Sequence, residues 1–318
     1  MSDTGALVVI RPGLLTTVQD LGRWGHQALG VPVAGPMDTF SHRLANHLVG
    51  NAPDAATLEV TLIGPELLVE TATTIAVSGA DFDLSCDGDA LPLGVSVGVG
   101  PGQVLRFGRR HRGARAYLAV AGGILTAPVL GSRATSIVTQ MGGVEGRALV
   151  AGDRLPVAAG QVRQTVRARG LTLPSSGRAR LRVVPGPQAE WFSADAWRLL
   201  TSTSFRISPR SNRMGYRLEG PPLPRAREGE PISEPLALGA IQVPTAGEPI
   251  LLMADRQTVG GYPKIAQVIS ADLCLAGQMA PGEFLEFEAC THAEAAAALI
   301  ARERELMTQM ASPRREGA

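Results

Sequence analysis

Two stretches of this chain repeat each other, and the repeat restricts the fold more than any other feature. Pro101-Gly102-Gln103-Val104-Leu105-Arg106-Phe107 returns 180 residues later as Pro281-Gly282-Glu283-Phe284-Leu285-Glu286-Phe287. Earlier in each half, Ile10-Arg11-Pro12-Gly13 is echoed by Val183-Val184-Pro185-Gly186, at the similar offset of 173. A Pro-Gly turn beside a strand is common by itself. Two in the same order at nearly equal spacing imply a duplicated β-rich unit. The seam is expected within Arg163–Arg178, where Pro174-Ser175-Ser176-Gly177 has linker composition.

The rest of the chain carries the same rhythm. Short strand-type runs stand between turn residues at Ala6–Ile10, Leu67–Val69, Ile75–Val77, Val104–Phe107, Ala116–Val120, Leu181–Val184, Ile250–Leu252 and Phe284–Phe287. That pattern predicts sandwiches or barrels with few helices. Three stretches depart from it. Met37–Val49 has helical apolar spacing at Phe40, Leu44, Ala45 and Leu48, with Asp38 as an N-cap. Ala189–Leu200 is a second helix, and the alanine-rich His292–Met310 a third, with a frayed tail over Ser312–Ala318.

Charge and cysteine content exclude several functions. The formal net charge is +1, from 30 basic and 29 acidic side chains, so the footprint of a nucleic-acid binder is missing. The five arginines of Arg106–Arg115 read as a solvated hairpin. No apolar run is long enough to span a bilayer, and no secretory signal opens the chain, so a cytoplasmic location is expected. Cys86, Cys274 and Cys290 are an odd number at irregular spacing, which argues against a disulfide framework and against a thiolate metal site. His42 and His47 are five apart and share no helix face, so no metal site is expected.

Chemistry concentrates in the second half. Lys264 is the only lysine among the 30 basic residues, and it ends the segment Asp255-Arg256-Gln257-Thr258-Val259-Gly260-Gly261-Tyr262-Pro263-Lys264. A compact ammonium is not interchangeable with a guanidinium, so a lone survivor suggests a placed cation. Ser211-Asn212-Arg213-Met214, Ser233-Glu234-Pro235, Gln242 and Gln278 add a cation fork, a carboxylate and amides. That inventory suits a small anionic or amide-bearing ligand and an oxyanion developing on a carbonyl.

The motifs also resemble a known family. Pro12-Gly13-Leu14 with Thr17-Val18-Gln19-Asp20-Leu21-Gly22-Arg23, Ala45-Asn46 with Val49-Gly50-Asn51, and Ser78-Gly79-Ala80 carry the first half of the likeness. Arg213-Met214-Gly215-Tyr216-Arg217-Leu218 and Asp255 through Pro263 carry the second. The chain resembles the 5-oxoprolinase C-subunit family of carboxyltransferase proteins, also labelled allophanate hydrolase subunit 2 or kinase-inhibitor antagonist. The resemblance implies a mostly β fold of two tandem cyclophilin-like β-barrel domains. Residues 1–172 and 173–292 would form these, followed by a C-terminal helix and tail at 293–318.

It further implies a 5-oxoprolinase complex with a kinase-inhibitor-like B component and with an A component, opening the lactam of 5-oxo-L-proline to L-glutamate with ATP. ATP would be bound by the complex, another chain of which could host it. A biotin carrier needs its lysine in an Ala/Val-Met-Lys-Met setting, and the only lysine here lies in Tyr262-Pro263-Lys264-Ile265, so no biotin is expected on this chain. Two alternatives stand beside this reading: a urea carboxylase-type protein using biotin on another chain, and a non-catalytic regulatory partner of the kinase-inhibitor-like component. On the main reading Lys264, Arg213, Gln242 and Gln257 stabilise charge building on oxygen. Glu234 or Asp255 is the base, and Tyr262 orients the ring nitrogen. Asn212, Thr258, Gly260, Gly261 and Gln278 complete the substrate-binding set. Whether Thr17–Arg23 belongs to the active site or to an interface stays open.

Overall fold

The computed structural model describes residues 4–158, 165–170, 172–173 and 177–311. The linker expected at Pro174–Ser176 and the tail after 311 lie outside them. The chain divides into two compact units. One comprises Met1–Arg23, Ala34–Leu173 and Glu305–Ala318; the other comprises Trp24–Val33 and Pro174–Arg304. Both are mostly β, with few helices.

The first unit is a nine-stranded sheet curled around an apolar core. Its spine is an antiparallel pair of long strands, Thr73–Cys86 and Val104–Val120. Register shifts between Gly79 and Leu84 bend the pair, so one continuous strand serves two parts of the sheet. Leu7, Leu58, Leu67, Leu105 and Leu118 are fully buried against its inner face. The arginine-rich stretch is therefore no hairpin. It lies inside the single strand Val104–Val120, where the facing strands supply carboxylates: Asp81 for Arg112 and Glu66 for Arg106 in register, and Asp83 for His111 at the bulge.

The second unit closes into a seven-stranded barrel. The order is Arg178–Pro185, Lys264–Val268, Ala240–Gln242, Ile250–Leu252, Gly215–Glu219, Ser204–Ile207 and Phe284–Ala289, which returns to the first strand in parallel. Leu181, Val183, Phe205, Ile241, Leu251, Ile265 and Leu285 fill the interior.

The two repeat motifs form the same turn. Gly102 and Gly282 both have φ near +90°, at 85° and 91°. Gly102 N–H donates to Val69 O and Gly282 N–H to Ile207 O, both at 2.8 Å. Val69 and Ile207 return bonds of 2.8 Å to the carbonyls of Gln103 and Glu283. The Gln103 side chain accepts from Gly100 N–H, and that of Glu283 from Ala280 N–H. The duplication read from the sequence is thus a duplication of hydrogen bonds.

Helices form where the spacing predicts. Thr39–Leu48 is capped by Asp38, whose carboxylate accepts from Ser41 N–H at 2.9 Å. The second begins later than expected, at Ala194–Ser202 after a 3₁₀ turn over Ala189–Trp191, because Ser193 supplies the cap. His292–Ala311 opens with a reciprocal capping box between Thr291 and Glu294. A short helix, Leu273–Gly277, was not legible: five residues carry no periodicity.

Candidate functional site

The site assembles on one side of the closed barrel around Lys264. This residue opens the strand Lys264–Val268 and is 4% exposed. Its ammonium pairs with Glu234 Oε1. Glu234 sits in a two-residue strand paired with Val259–Gly260, directly opposite Gly260. Gln188 fixes both partners. Its Nε2 donates to Glu234 Oε1 at 2.7 Å, and its Oε1 accepts from Lys264 N–H at 3.2 Å. The Pro185-Gly186 turn makes this approach possible. A Cβ on Gly186 would lie 2.4 Å from the Lys264 carbonyl oxygen, so only glycine lets the chain pass there.

The Lys264 ammonium first, and then the Gln188 amide, hold the Glu234 carboxyl below its usual range. A general base works best with a pKa raised toward the working pH. Glu234 is shifted the other way, so its geometry suits holding the ammonium rather than taking a proton.

Asp255 is also committed. It accepts two parallel bonds from Arg213, Nε to Oδ2 at 3.0 Å and Nη2 to Oδ1 at 3.1 Å, with both side chains buried. Its backbone N–H donates to the Arg213 carbonyl at 2.9 Å. The fork expected to meet a ligand is instead an internal clamp tying the 208–217 hairpin to the 253–255 segment.

Beside the Lys264 pair lies a cleft of about 220 Å³ lined by Asn212, Gln242, Gln257, Tyr262, Arg210 and Arg217, among others. Gln242 faces Lys264 in the barrel register and donates from Nε2 to the Tyr262 carbonyl at 3.4 Å. Gly260 lies between two amides: an added Cβ would stand 2.8 Å from Gln257 Nε2 and 3.2 Å from Gln242 Nε2. Asn212 uses its Oδ1 to accept from Met214 N–H, closing the hairpin turn. Tyr262 is exposed. Thr258 acts through its backbone, accepting from Leu236 N–H at 3.0 Å. Gly261 passes under the 231–233 loop. Gln278 is buried at the end of helix Leu273–Gly277 and is not part of the cleft lining.

The structure therefore brings together Glu234, Lys264, Gln242, Gln257, Gly260 and Tyr262, while Arg213 and Asp255 engage each other. Gln188 and Arg210 were not singled out from the sequence, and Arg217 was given no role there. The Pro185-Gly186 half of the repeat lies next to Gln188; Arg217 stands in the Arg213–Leu218 motif without a role, and nothing in the pattern separated Arg210 from the many other arginines.

In the first unit, Thr17–Arg23 is a buried scaffold. Gln19 Nε2 donates to Thr17 Oγ1 and to the Thr135 carbonyl. Asp20 accepts from Ser132 Oγ at 2.6 Å and from Arg133 N–H at 2.5 Å, and Arg23 donates to the Ala134 carbonyl. These bonds bind the loop after Val129 to the strand Leu15–Gln19. Nearby, Glu59 accepts from Tyr117 Oη and from Met37 N–H, both at 2.8 Å. No group of three or more His, Cys, Asp or Glu suited to a metal occurs among the described residues. None of their helices is long and apolar enough to cross a membrane.

The carboxyltransferase domain family, subdomain A and B, matches residues 29–289. The chain belongs to this family. It is 40% identical to the 5-oxoprolinase C-subunit of Escherichia coli K12, across 91% of this chain and 93% of that protein. It is 36% identical to the 5-oxoprolinase C-subunit of Haemophilus influenzae, across 88% and 90%. Among solved structures, the K. lactis urea amidolyase superposes with a TM-score of 0.90 at 31% identity. That match covers 97% of this chain but only 20% of the amidolyase. The carboxyltransferase family thus contains both free-standing proteins and segments of larger enzymes.

Proposed function

We propose that this chain is the C-subunit of a 5-oxoprolinase, acting with partner chains to open the lactam of 5-oxo-L-proline to L-glutamate. The observation that carries the reading is its likeness, over nearly the full length of both chains, to two bacterial proteins of that name. The kinase-inhibitor-like B component and the A component are the proposed partners, in the cytoplasm. ATP activates what is otherwise a poor amide electrophile, and it is assigned to the complex rather than to a site on this chain. Within that reaction the chain supplies charge stabilisation: Lys264, held by Glu234 and Gln188, faces negative charge developing on the lactam oxygen, with Gln242 and Gln257 as amide donors. Tyr262 closes the cleft over the ring. Glu234 and Asp255 are both engaged as anions, so the proton acceptor comes from a partner chain or from water.

The test is glutamate release from 5-oxo-L-proline in a reconstituted complex, omitting ATP or each component in turn. Release without ATP, or without this chain, would remove the proposal. A second reading draws on the K. lactis urea amidolyase, whose fold this chain shares. On that reading the chain is a carboxyltransferase using biotin carried elsewhere, and avidin would abolish the activity.

A further inference from the structure

The lining of the cleft beside Lys264 is cationic without compensation. Arg210 and Arg217 both line it, and no Asp or Glu does. Several arginines of the same unit are matched, while Arg227 lies over the Trp191 ring and Arg256 donates to the Leu236 carbonyl. Arg178, Arg180, Arg182, Arg206 and Arg225 each have a carboxylate within 3.6 Å. Among the described residues Arg210 and Arg217 have no such partner. In a chain of net charge +1, two unmatched guanidiniums converging on one cleft are a local excess.

Their backbone is also held in place. Arg210 lies in the turn that joins strands Ser204–Ile207 and Gly215–Glu219, and Arg217 lies in the second of these strands. Ser208 N–H donates to the Arg217 carbonyl at 2.9 Å, and Arg217 N–H donates to Ser211 Oγ at 3.0 Å. Asn212 closes the tip, and the buried Arg213–Asp255 clamp fastens it to the neighbouring segment. The two arginines are therefore presented from one braced hairpin to a cleft whose lining also carries the Gln242 and Gln257 amides. A guanidinium offers a planar donor fork that matches a carboxylate.

We propose that Arg210 and Arg217 form a carboxylate-recognition pair, so that the cleft takes a small ligand bearing a carboxylate beside an amide or lactam. This deepens the function proposed above and rests on that reading for the identity of the ligand. It assigns selection for an anionic lactam over a neutral amide to two residues that do no chemistry.

The experiment is calorimetric titration of the full chain, alone and in the reconstituted complex, with 5-oxo-L-proline, its neutral primary carboxamide and inorganic phosphate. Wild type is compared with R210Q, R217Q and the double variant, all checked for an unchanged thermal midpoint. The expected result is a preference for the carboxylate over the carboxamide in the wild type. The double variant should lose about tenfold or more in affinity for the carboxylate, and the carboxamide should bind as before. Unchanged carboxylate affinity in the double variant overturns the proposal. So does a wild type that binds acid and carboxamide equally, binds neither, or binds phosphate as tightly as the carboxylate. Turnover separates this from the functional reading. A complex that hydrolyses 5-oxo-L-proline with unaltered KM in the double variant sinks the arginine pair alone. A complex that fails to hydrolyse it, while the arginines still govern carboxylate binding, sinks the 5-oxoprolinase reading alone.

Discussion

Arg213 grips Asp255 through two parallel hydrogen bonds in a site closed to water. Removing one partner of such a pair strands a buried charge and costs about 3–5 kcal/mol. Asp255→Asn should therefore lower stability by that order in chemical denaturation. Turnover per folded molecule should stay within about tenfold of wild type, whereas losing a true base typically costs about 10²-fold or more. A stable D255N protein with abolished turnover would return Asp255 to the chemistry.

Lys264 poses the complementary case. Lys264→Arg keeps the charge, but a planar guanidinium on a longer side chain cannot meet Glu234 Oε1 from this buried position in the same way. Losing one preorganised stabiliser of a developing oxyanion costs about 10²-fold or more in kcat. The reconstituted complex should show that fall with the variant still folded. Undiminished kcat would end the role given to Lys264.

Gln188 donates to the same Glu234 oxygen that accepts from the Lys264 ammonium. Because these contacts hold the Glu234 pKa down, its ionised form favours the folded state above the ordinary carboxylate pKa. That contribution fades as pH falls through the lowered value. Gln188→Leu removes one of the two contacts, so the Glu234 pKa should rise toward normal. The acid limb of the kcat/KM profile should then move to higher pH. A limb that stays in place would show that the Lys264 contact suffices without Gln188.

These predictions also mark what the sequence could show. The Pro-Gly repeat encodes a turn whose hydrogen bonds recur atom for atom at Gly102 and Gly282, because a positive φ and a following strand are local demands. Asp38 was legible as a cap for the same reason. The lone lysine and its neighbours, close together in the sequence, also stand together on one wall of the barrel. Partner choice was not legible. Whether Asp255 faces a ligand or Arg213 depends on a sequence separation of 42 and the closure of the barrel. Arg210 and Arg217 are set apart by lining one cleft without a carboxylate beside them, and neither the shared cleft nor a missing neighbour leaves a mark in a sequence.

His42 gives a pH signature independent of the site. It is buried between Thr57 and Asn46, and burial lowers its pKa from 6.5 to about 4. The unfolded chain therefore binds a proton between those values that the folded chain refuses. Stability is retained above pH 6.5 and falls as the pH drops toward 4, by about 3 kcal/mol at 1.36 kcal/mol per unit. His42→Gln, which cannot titrate, should flatten this part of the stability curve measured by denaturation at stepped pH. An unchanged slope between pH 6.5 and 4 would assign the acid sensitivity to other groups.

Gly260 offers the sharpest separation of binding from folding. Its backbone is not in the left-handed region, so an alanine there is not strained by its own φ. The new methyl would meet Gln257 Nε2 at 2.8 Å, Leu236 Cδ1 at 2.9 Å and Gln242 Nε2 at 3.2 Å. All three are ends of flexible side chains that can yield, so the stability change should stay near ~1 kcal/mol or less. Yielding, however, moves both amides proposed to face the lactam. Gly260→Ala should raise KM for 5-oxo-L-proline or lower kcat by about tenfold, with the thermal midpoint almost unmoved. Wild-type kinetics in the alanine variant would show that the amides of Gln242 and Gln257 do not set the geometry of the bound ring.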